Sequence, residues 1–309
     1  MSDRKLLLDL GGTNLRAGLG SVDTLIIDDI SKTKVDKDEE IFKVIRSYVE
    51  KNNIKEIIFS AAGPRSINKV SMTNRSLEIN GTLIEDEFNV SRCDILNDWE
   101  SIGYCLPLLK DQDFTQLKDG QRNPEETSVA IGPGTGLGLS ILRYVNDVPY
   151  VFATELGNTK SFNDYLLNIF KLKPCNDFSV LESFLSGTGI QRIYKSISGE
   201  SLPTEDIVDS YGDNKLATQL LNNFCKAFGR ILADINLTIL ANGGVYFAGG
   251  LMRRIHKLEA MEYLFEEFNS HNSKHHKDLL INTSINLITK EHTPLYGNLN
   301  YSIVRRMHE

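Results

Sequence analysis

A chain of 309 residues with 41% hydrophobic content can bury a large core, and its length suggests two domains. With 41 acidic against 34 basic residues the formal charge is -7, which offers no basic footprint for nucleic acid or an anionic membrane surface. The four cysteines, Cys93, Cys105, Cys175 and Cys225, form no C-x-x-C pair, so neither a zinc ribbon nor a dithiol redox motif is supported, and a reducing, cytoplasmic setting is expected. The first apolar run, Leu6–Leu8, stops at Asp9, unlike a signal peptide, and no segment reaches the length of a membrane span.

The chain opens as strand, turn, strand. Leu6-Leu7-Leu8 leads into Asp9-Leu10-Gly11-Gly12-Thr13-Asn14, after which Leu15, Ala17 and Leu19 alternate with Arg16 and Gly18. Val22 to Asp28 reads as a third strand. Ile41, Phe42, Val44, Ile45, Tyr48 and Val49 recur at helical spacing behind the acidic turn Asp38-Glu39-Glu40. Ile57-Ile58-Phe59 is a short buried strand ending at Ala61-Ala62-Gly63-Pro64. Cys93-Asp94-Ile95-Leu96 is another, ending at Asn97-Asp98, with a helix from about Trp99 and Pro107 near its end.

Lys110 to Glu126 is polar and aperiodic, and reads as a linker. The opening pattern then returns. Ser128-Val129-Ala130-Ile131 is a strand, Gly132-Pro133-Gly134-Thr135-Gly136 a turn, and Leu137 to Leu142 a returning strand. Aligning the two turns places Leu15 on Leu137 and Ala17 on Leu139, a short internal repeat. Leu216 to Leu240 is a long amphipathic run, followed by the strand Val245-Tyr246-Phe247, by Ala248-Gly249-Gly250, and by a helix from near Leu251. Ile281 to Ile288 reads as a strand, and Pro294 opens a last helix to about Met307. A hairpin at the head of each half, with strands and helices mixed behind it, predicts α/β domains on mixed sheets.

Glycine lets a backbone approach phosphate closely with its amides free to point at it. Gly11-Gly12-Thr13-Asn14 and Gly132-Pro133-Gly134-Thr135-Gly136 are two candidate cradles, and Ala248-Gly249-Gly250 adds a third glycine-rich strand end. Each alone also reads as an ordinary hairpin turn. No G-x-x-x-x-G-K-[ST] is present, so the chain is not a P-loop enzyme. Asp9, at the end of the first strand, suits Mg²⁺, directly or through water, and equally suits a plain turn. Asp98 could take the proton of an attacking hydroxyl while Asn97 fixes its neighbours; on local evidence, Asp98 as a helix N-cap ranks ahead. His271, His275 and His276 have ligand-like spacing, but Ser270 to Lys277 is a polar stretch without a third fixed ligand, so it reads as a solvated loop.

In order along the chain, these segments resemble the bacterial glucokinase family, in the superfamily of sugar kinases, heat-shock ATPases and actin. Leu8 to Arg16 resembles its first phosphate motif, and Ser71-Met72-Thr73-Asn74 its M-T-N segment. Ile95-Leu96-Asn97-Asp98-Trp99 resembles the strand carrying its catalytic Asp, and Gly132 to Gly138 its second phosphate motif. Glu155-Leu156-Gly157 resembles its sugar-binding E-G-G. Glu182, before Leu185-Ser186-Gly187-Thr188-Gly189, resembles its second sugar-binding Glu, and Phe247 to Leu251 its adenosine motif. The zinc motif of the related ROK kinases is absent from the sequence.

The resemblance implies a two-domain, actin-like ATPase (ribonuclease H-like) α/β fold with mixed sheets and a cleft between domains. The small domain would be residues 1–109 completed by a C-terminal helix, 294–309, and the large one 110–293. It implies an ATP-dependent glucokinase using Mg²⁺, with a hexose and ATP as partners, cytoplasmic and homodimeric. Asp98 would be the base; Asn97, Glu155, Asn158 and Glu182 would bind sugar hydroxyls. Gly11, Gly12, Thr13, Asn14, Gly134, Thr135, Gly136, Gly249 and Gly250 would hold the nucleotide, with Asp9 at the metal. Two departures fall on the sugar side. The family's His, which helps read the C1–C2 side of the sugar, is Asn158 here, and the middle Gly of E-G-G is Leu156, expected to narrow the same pocket. The family's Trp after M-T-N is also missing; Leu77 and Glu78 lie in that region. A kinase for another hexose or amino sugar, or a non-catalytic sugar sensor, are the competing readings, and retention of Asp98 and both turns argues against the sensor.

Overall fold

Strict two-residue alternation on three parallel strands organises the first part of the chain. The computed structural model describes residues 4–72 and 77–308. The elements there are β1 (Arg4–Leu10), β2 (Asn14–Ser21), β3 (Ile27–Lys34), α1 (Asp38–Asn52), β4 (Glu56–Ala61), β5 (Arg65–Ser66), β6 (Lys69–Ser71), β7 (Glu78–Asn80), α2 (Gly81–Phe88), β8 (Arg92–Asn97) and α3 (Asp98–Cys105). The sheet order is β3-β2-β1-β4-β8, with β1, β4 and β8 parallel and β2 and β3 antiparallel. Leu6, Leu8, Ile57, Phe59, Cys93 and Ile95 share one core with Ile41, Ile45 and Ile84 of α1 and α2. The alternate residues Leu7, Ile58 and Leu96 join a second core on the other face.

The rest comprises β9 (Phe114–Lys118), β10 (Ser128–Pro133), β11 (Leu137–Val145), β12 (Val148–Ala153), α4 (Asn163–Phe170), α5 (Gly187–Ser198), α6 (Thr204–Asp209), α7 (Lys215–Ile239), β13 (Gly244–Phe247), α8 (Gly250–Ile255), α9 (Met261–Phe268), α10 (Lys274–Asn282), β14 (Ile285–Ile288) and α11 (Thr293–His308). The second sheet is ordered β12-β11-β10-β13-β14-β9, with β10, β13 and β14 parallel and β9 antiparallel on the edge. Ile131, Phe247 and Leu287 pack there with Leu221, Phe224 and Phe228 of α7. Each sheet thus runs hairpin, then two further parallel strands. This duplication is the actin-like, two-domain arrangement on mixed sheets. Among the described residues, no helix is long and apolar enough to cross a membrane.

The chain divides into one compact unit of residues 1–110, 142–153 and 290–309, and another of residues 111–141 and 154–289. Residues 142–153, which the sequence put with the larger domain, group with the first unit because Val148 and Val151 pack with Leu7, Ile58, Leu96, Leu295 and Leu299. α11 closes this second core. Its Arg305 pairs with Glu56 and Asp94, and the fully buried Lys5 meets Glu56 at 2.9 Å, so these buried charges are matched.

Four local expectations need correction. The third strand begins at Ile27 instead of Val22, because Ser21 and Ile26 close a turn in which Leu25 has φ +56°. The polar linker contains β9. It is an edge strand, so Thr115 and Gln116 face solvent while Phe114 meets Tyr246 edge-on at 5.9 Å. The strand expected from Ile281 starts at Ile285, since Ile281 is still in α10. The histidine-bearing loop becomes helical from Lys274, which puts His275 and His276 on α10.

Candidate active site

Parallel pairing sets the level of the strand ends in the first unit. Leu10 of β1 lies opposite Ala61 of β4, and Ala61 opposite Asn97 of β8. Asp9 precedes this line by one residue and Asp98 follows it by one, on strands two sheet spacings apart, about 10 Å. Both carboxylates therefore stand at the carboxyl edge of parallel strands, where α/β sheets gather ligands.

Asp9 is 3% exposed. Arg16 Nη1 donates to its Oδ2 at 2.7 Å, and Ser60 Oγ donates to its Oδ1 at 3.3 Å. Register supplies both partners, since Arg16 and Ser60 are the residues opposite Asp9 on β2 and β4. Burial pushes the Asp9 pKa above the usual carboxylate value, against the opposing pull of the Arg16 charge and the two hydrogen bonds. No group of three His, Cys, Asp or Glu side chains among the described residues is arranged to hold a metal ion. With both oxygens engaged, Asp9 suits a cation carried on phosphate and reached through water better than one in a protein cage.

At the end of β8 the helix cap is Asn97, and the capping role that the sequence ranked first for Asp98 falls to its neighbour. Asn97 Oδ1 accepts from the Trp99 and Glu100 amides at 2.9 and 3.3 Å, and Glu100 accepts from the Asn97 amide at 3.2 Å, a closed capping box. Asn97 Nδ2 donates to the Gly63 carbonyl at 2.8 Å, and Arg65 grips Glu100 at 2.5 Å. Gly63 has φ +146°, and a Cβ there would overlap the Ser71 carbonyl oxygen, so only glycine presents that carbonyl. Asp98 opens α3, half-buried, with its Oδ1 accepting from the Trp99 amide at 3.0 Å.

In the second unit Ile131 of β10 lies opposite Phe247 of β13, which brings the turn Gly132 to Gly136 beside Ala248-Gly249-Gly250. Gly134 N donates to the Gly136 carbonyl at 2.7 Å, and Gly187 N to the Gly134 carbonyl at 2.7 Å. The Thr188 hydroxyl donates to the Thr135 carbonyl. A Cβ on Gly134 or Gly250 would meet nothing within 4 Å. These two glycines line a cavity of about 400 Å³ with Thr135, Gly187, Thr188 and Thr204, and its wall continues through Gln191, Glu205, Leu251 and Arg254. Open glycine backbone, three threonines and the first turn of the 12-residue α5 equip this cavity for an anionic polyphosphate.

Glu155, Asn158 and Glu182 come together beside that turn. Asn158 Nδ2 donates to Glu155 Oε2 at 3.0 Å, and Leu181 N donates to the Thr159 carbonyl at 2.9 Å, which joins the two segments. Glu182 Oε2 accepts from the Leu137 amide at 3.2 Å, and a Cβ on Gly157 would lie 2.9 Å from the same oxygen. Leu156 is partly buried and packs against the core of the second unit. Thr73 and Asn74 of the M-T-N segment lie outside the described residues.

Sequence reasoning missed Ser60, Gly63, Arg65 and Glu100 in the first unit, and Gln191, Thr204 and Glu205 in the second. The capping box was readable as Asn97-x-x-Glu100. Ser60 needed the β1–β4 register, and Thr204 and Glu205 carry no local signal.

The family model described as Glucokinase matches residues 6–303. The glucokinase of Colwellia psychrerythraea is 28% identical over 273 residues, which cover 81% of this chain and 81% of that protein. Among solved structures, a glucokinase from an Antarctic psychrotroph superposes with a TM-score of 0.79 at 21% identity, covering 97% of this chain and 98% of that one. The glucokinase from Balamuthia mandrillaris in complex with glucose gives 0.78 at 20% identity, covering 99% and 94%.

Proposed function

The chain belongs to the glucokinase family and is an ATP-dependent hexose kinase, and on that premise we propose that it transfers the γ-phosphoryl group of Mg-ATP to the 6-hydroxyl of glucose in the cytoplasm. Asp98 is the general base. It takes the 6-hydroxyl proton as that oxygen attacks the γ-phosphorus, and the bond to the ADP oxygen breaks. Asn97, Glu155, Asn158 and Glu182 hold the sugar hydroxyls. Gly11 to Asn14, Gly134 to Gly136, Gly249 and Gly250 hold the nucleotide. Magnesium, when bound, neutralises phosphate charge, which a chain of formal charge -7 is poorly equipped to do with Lys and Arg. Asp9 orients that ion through water.

The observation that carries this reading is the level strand ends at Leu10, Ala61 and Asn97, which set Asp9 and Asp98 at one edge of the sheet. Asn97 supports the base: it takes over the capping bonds and leaves Asp98 at the first helical position. The test is a kinase assay against a panel of hexoses and amino sugars, with ATP and ADP as donors, repeated with Asp98→Asn. General-base catalysis is worth about 10²–10⁴-fold, so kcat should fall by that factor while nucleotide affinity holds. A purified variant that keeps more than roughly a tenth of wild-type kcat rules Asp98 out as the base.

A further inference from the structure

The C-terminal helix carries a buried amide next to Asp9 that packing does not account for. Asn298 of α11 is fully buried. Its Nδ2 donates to the Leu8 carbonyl at 2.8 Å and to Ser60 Oγ at 3.1 Å. Its Oδ1 has no hydrogen-bond partner among the described residues. A buried amide with an orphaned oxygen is a net cost to the fold, so its two donated bonds call for another reason.

Ser60 supplies that reason. Its hydroxyl has one proton and two acceptors in reach, the Leu8 carbonyl at 3.2 Å and Asp9 Oδ1 at 3.3 Å. Asn298 acts on both sides of this choice. Its bond to Leu8 satisfies the competing carbonyl. Its bond to Ser60 Oγ occupies a lone pair and strengthens the hydroxyl as a donor. The serine proton is thereby steered to Asp9. The neighbouring residues of α11 reach the other carboxylate's helix. A Cβ on Gly297 would overlap the Ser101 carbonyl of α3, and Asn300 Nδ2 donates to the Tyr104 carbonyl at 2.8 Å. One turn of α11 thus contacts the strand bearing Asp9 and the helix that Asp98 opens.

We propose that Asn298 is a positioning residue which, through Ser60, fixes the Asp9 carboxylate for the metal–nucleotide complex. This rests on the reading of Asp9 as the residue that orients the metal ion, and the experiment separates the two ideas. The full-length enzyme, labelled with ¹³C at aspartate side chains, is compared as wild type, Ser60→Ala, Asn298→Leu and the double variant at one fixed pH. Mn²⁺ affinity in the presence of a non-hydrolysable ATP analogue is measured on the same samples and on Asp9→Asn.

The Asp9 Cγ resonance should move in both single variants. Mn²⁺ affinity should weaken roughly fivefold, the scale of one lost hydrogen bond. The double variant should be no worse than the weaker single, since both remove one relay. The glucose KM should stay put while kcat falls, a split that general loosening of the fold does not produce. An unmoved Asp9 resonance in folded Asn298→Leu overturns the proposal. If the leucine variant does not fold, an unmoved resonance in Ser60→Ala, which leaves α11 untouched, overturns it equally. A moved resonance with Mn²⁺ affinity unchanged in every variant, Asp9→Asn included, leaves the relay standing and removes the metal role of Asp9.

Discussion

The two glycine-rich turns occupy equivalent places, between β1 and β2 and between β10 and β11, yet they are held in different ways. In the first, Gly11 N bonds the Asn14 carbonyl at 3.0 Å and Val35 N bonds the Thr13 carbonyl at 2.9 Å, so these contacts come from the turn and the end of the adjoining β3 ribbon. The second is gripped from distant sequence, by Gly187 and Thr188 of α5 and by Glu182. A Cβ would meet nothing within 4 Å at Gly12 but would overlap Glu182 Oε2 at Gly136. One short motif therefore serves two purposes. At residue 12, as at Gly134 of the second turn, a Cβ would meet nothing in the chain's own packing. At residue 136, glycine admits a carboxylate of the protein itself.

The largest expected effect breaks this comparison most directly. Gly136→Ala should push the Glu182 carboxylate off the Leu137 amide and disturb turn and sugar side together. A displacement near 1 Å at a reacting site costs about 10²-fold, so kcat/KM for glucose should fall by roughly that factor. Gly12→Ala should leave thermal stability and the glucose KM near wild type and raise the ATP KM. If the two variants show the same pattern of KM changes, the distinction between the turns is wrong.

The sequence disclosed the turns but not their bracing, and the reason is physical. The apolar run Leu6–Leu8, the alternation of Leu15, Ala17 and Leu19 and the glycine runs are local signals, and so is the repeat that places Leu15 on Leu137. The grip of Glu182 on Leu137 spans 45 positions and exists only once the short helix Leu181–Ser183 has packed against Leu156–Asn158. β9 escaped notice because an edge strand is polar by design against aggregation, and its one apolar anchor, Phe114, is a weak signal alone. The choice between Asn97 and Asp98 as cap turned on backbone angles. Asn97 is extended, at φ -72° and ψ 151°, and Asp98 is already helical.

A second prediction sharpens the contrast from the charged side of the first turn. A carboxyl whose pKa is raised on folding, as burial raises that of Asp9, binds its proton more tightly in the native state. Its contribution to stability is complete below the ordinary value of 3.8 and is lost as pH rises through the native value. Ionised Asp9 therefore weakens the fold at neutral pH. Asp9→Asn should raise Tm at pH 7.5, by more than it does near pH 4, while lowering kcat about tenfold if Asp9 orients the nucleotide's metal ion. Arg16, left without its partner, is 37% exposed and can turn to solvent. A lower Tm at pH 7.5 would show that the Arg16 and Ser60 bonds outweigh the cost of burial.

The smallest effect concerns the sugar loop that meets the second turn at Gly157. Asn158 spends an amide proton on Glu155 at 3.0 Å, and both side chains are exposed. On the proposed roles, the shorter amide standing where the family has His would act on the sugar partly by holding Glu155, with a weaker direct reading of the C2 position. One side-chain hydrogen bond to a substrate contributes about 1 kcal/mol, or roughly fivefold in kcat/KM. 2-Deoxyglucose and mannose should then fall within about tenfold of glucose in kcat/KM, and Asn158→His should widen that gap. Asn158→Ala should lower kcat/KM for glucose about fivefold by releasing Glu155, with Tm unchanged because neither side chain is buried. A native enzyme that rejects every C2-altered sugar by a hundredfold or more would mean that Glu155, oriented by Asn158, already reads that hydroxyl, and Asn158→Ala would then lose glucose and mannose discrimination together.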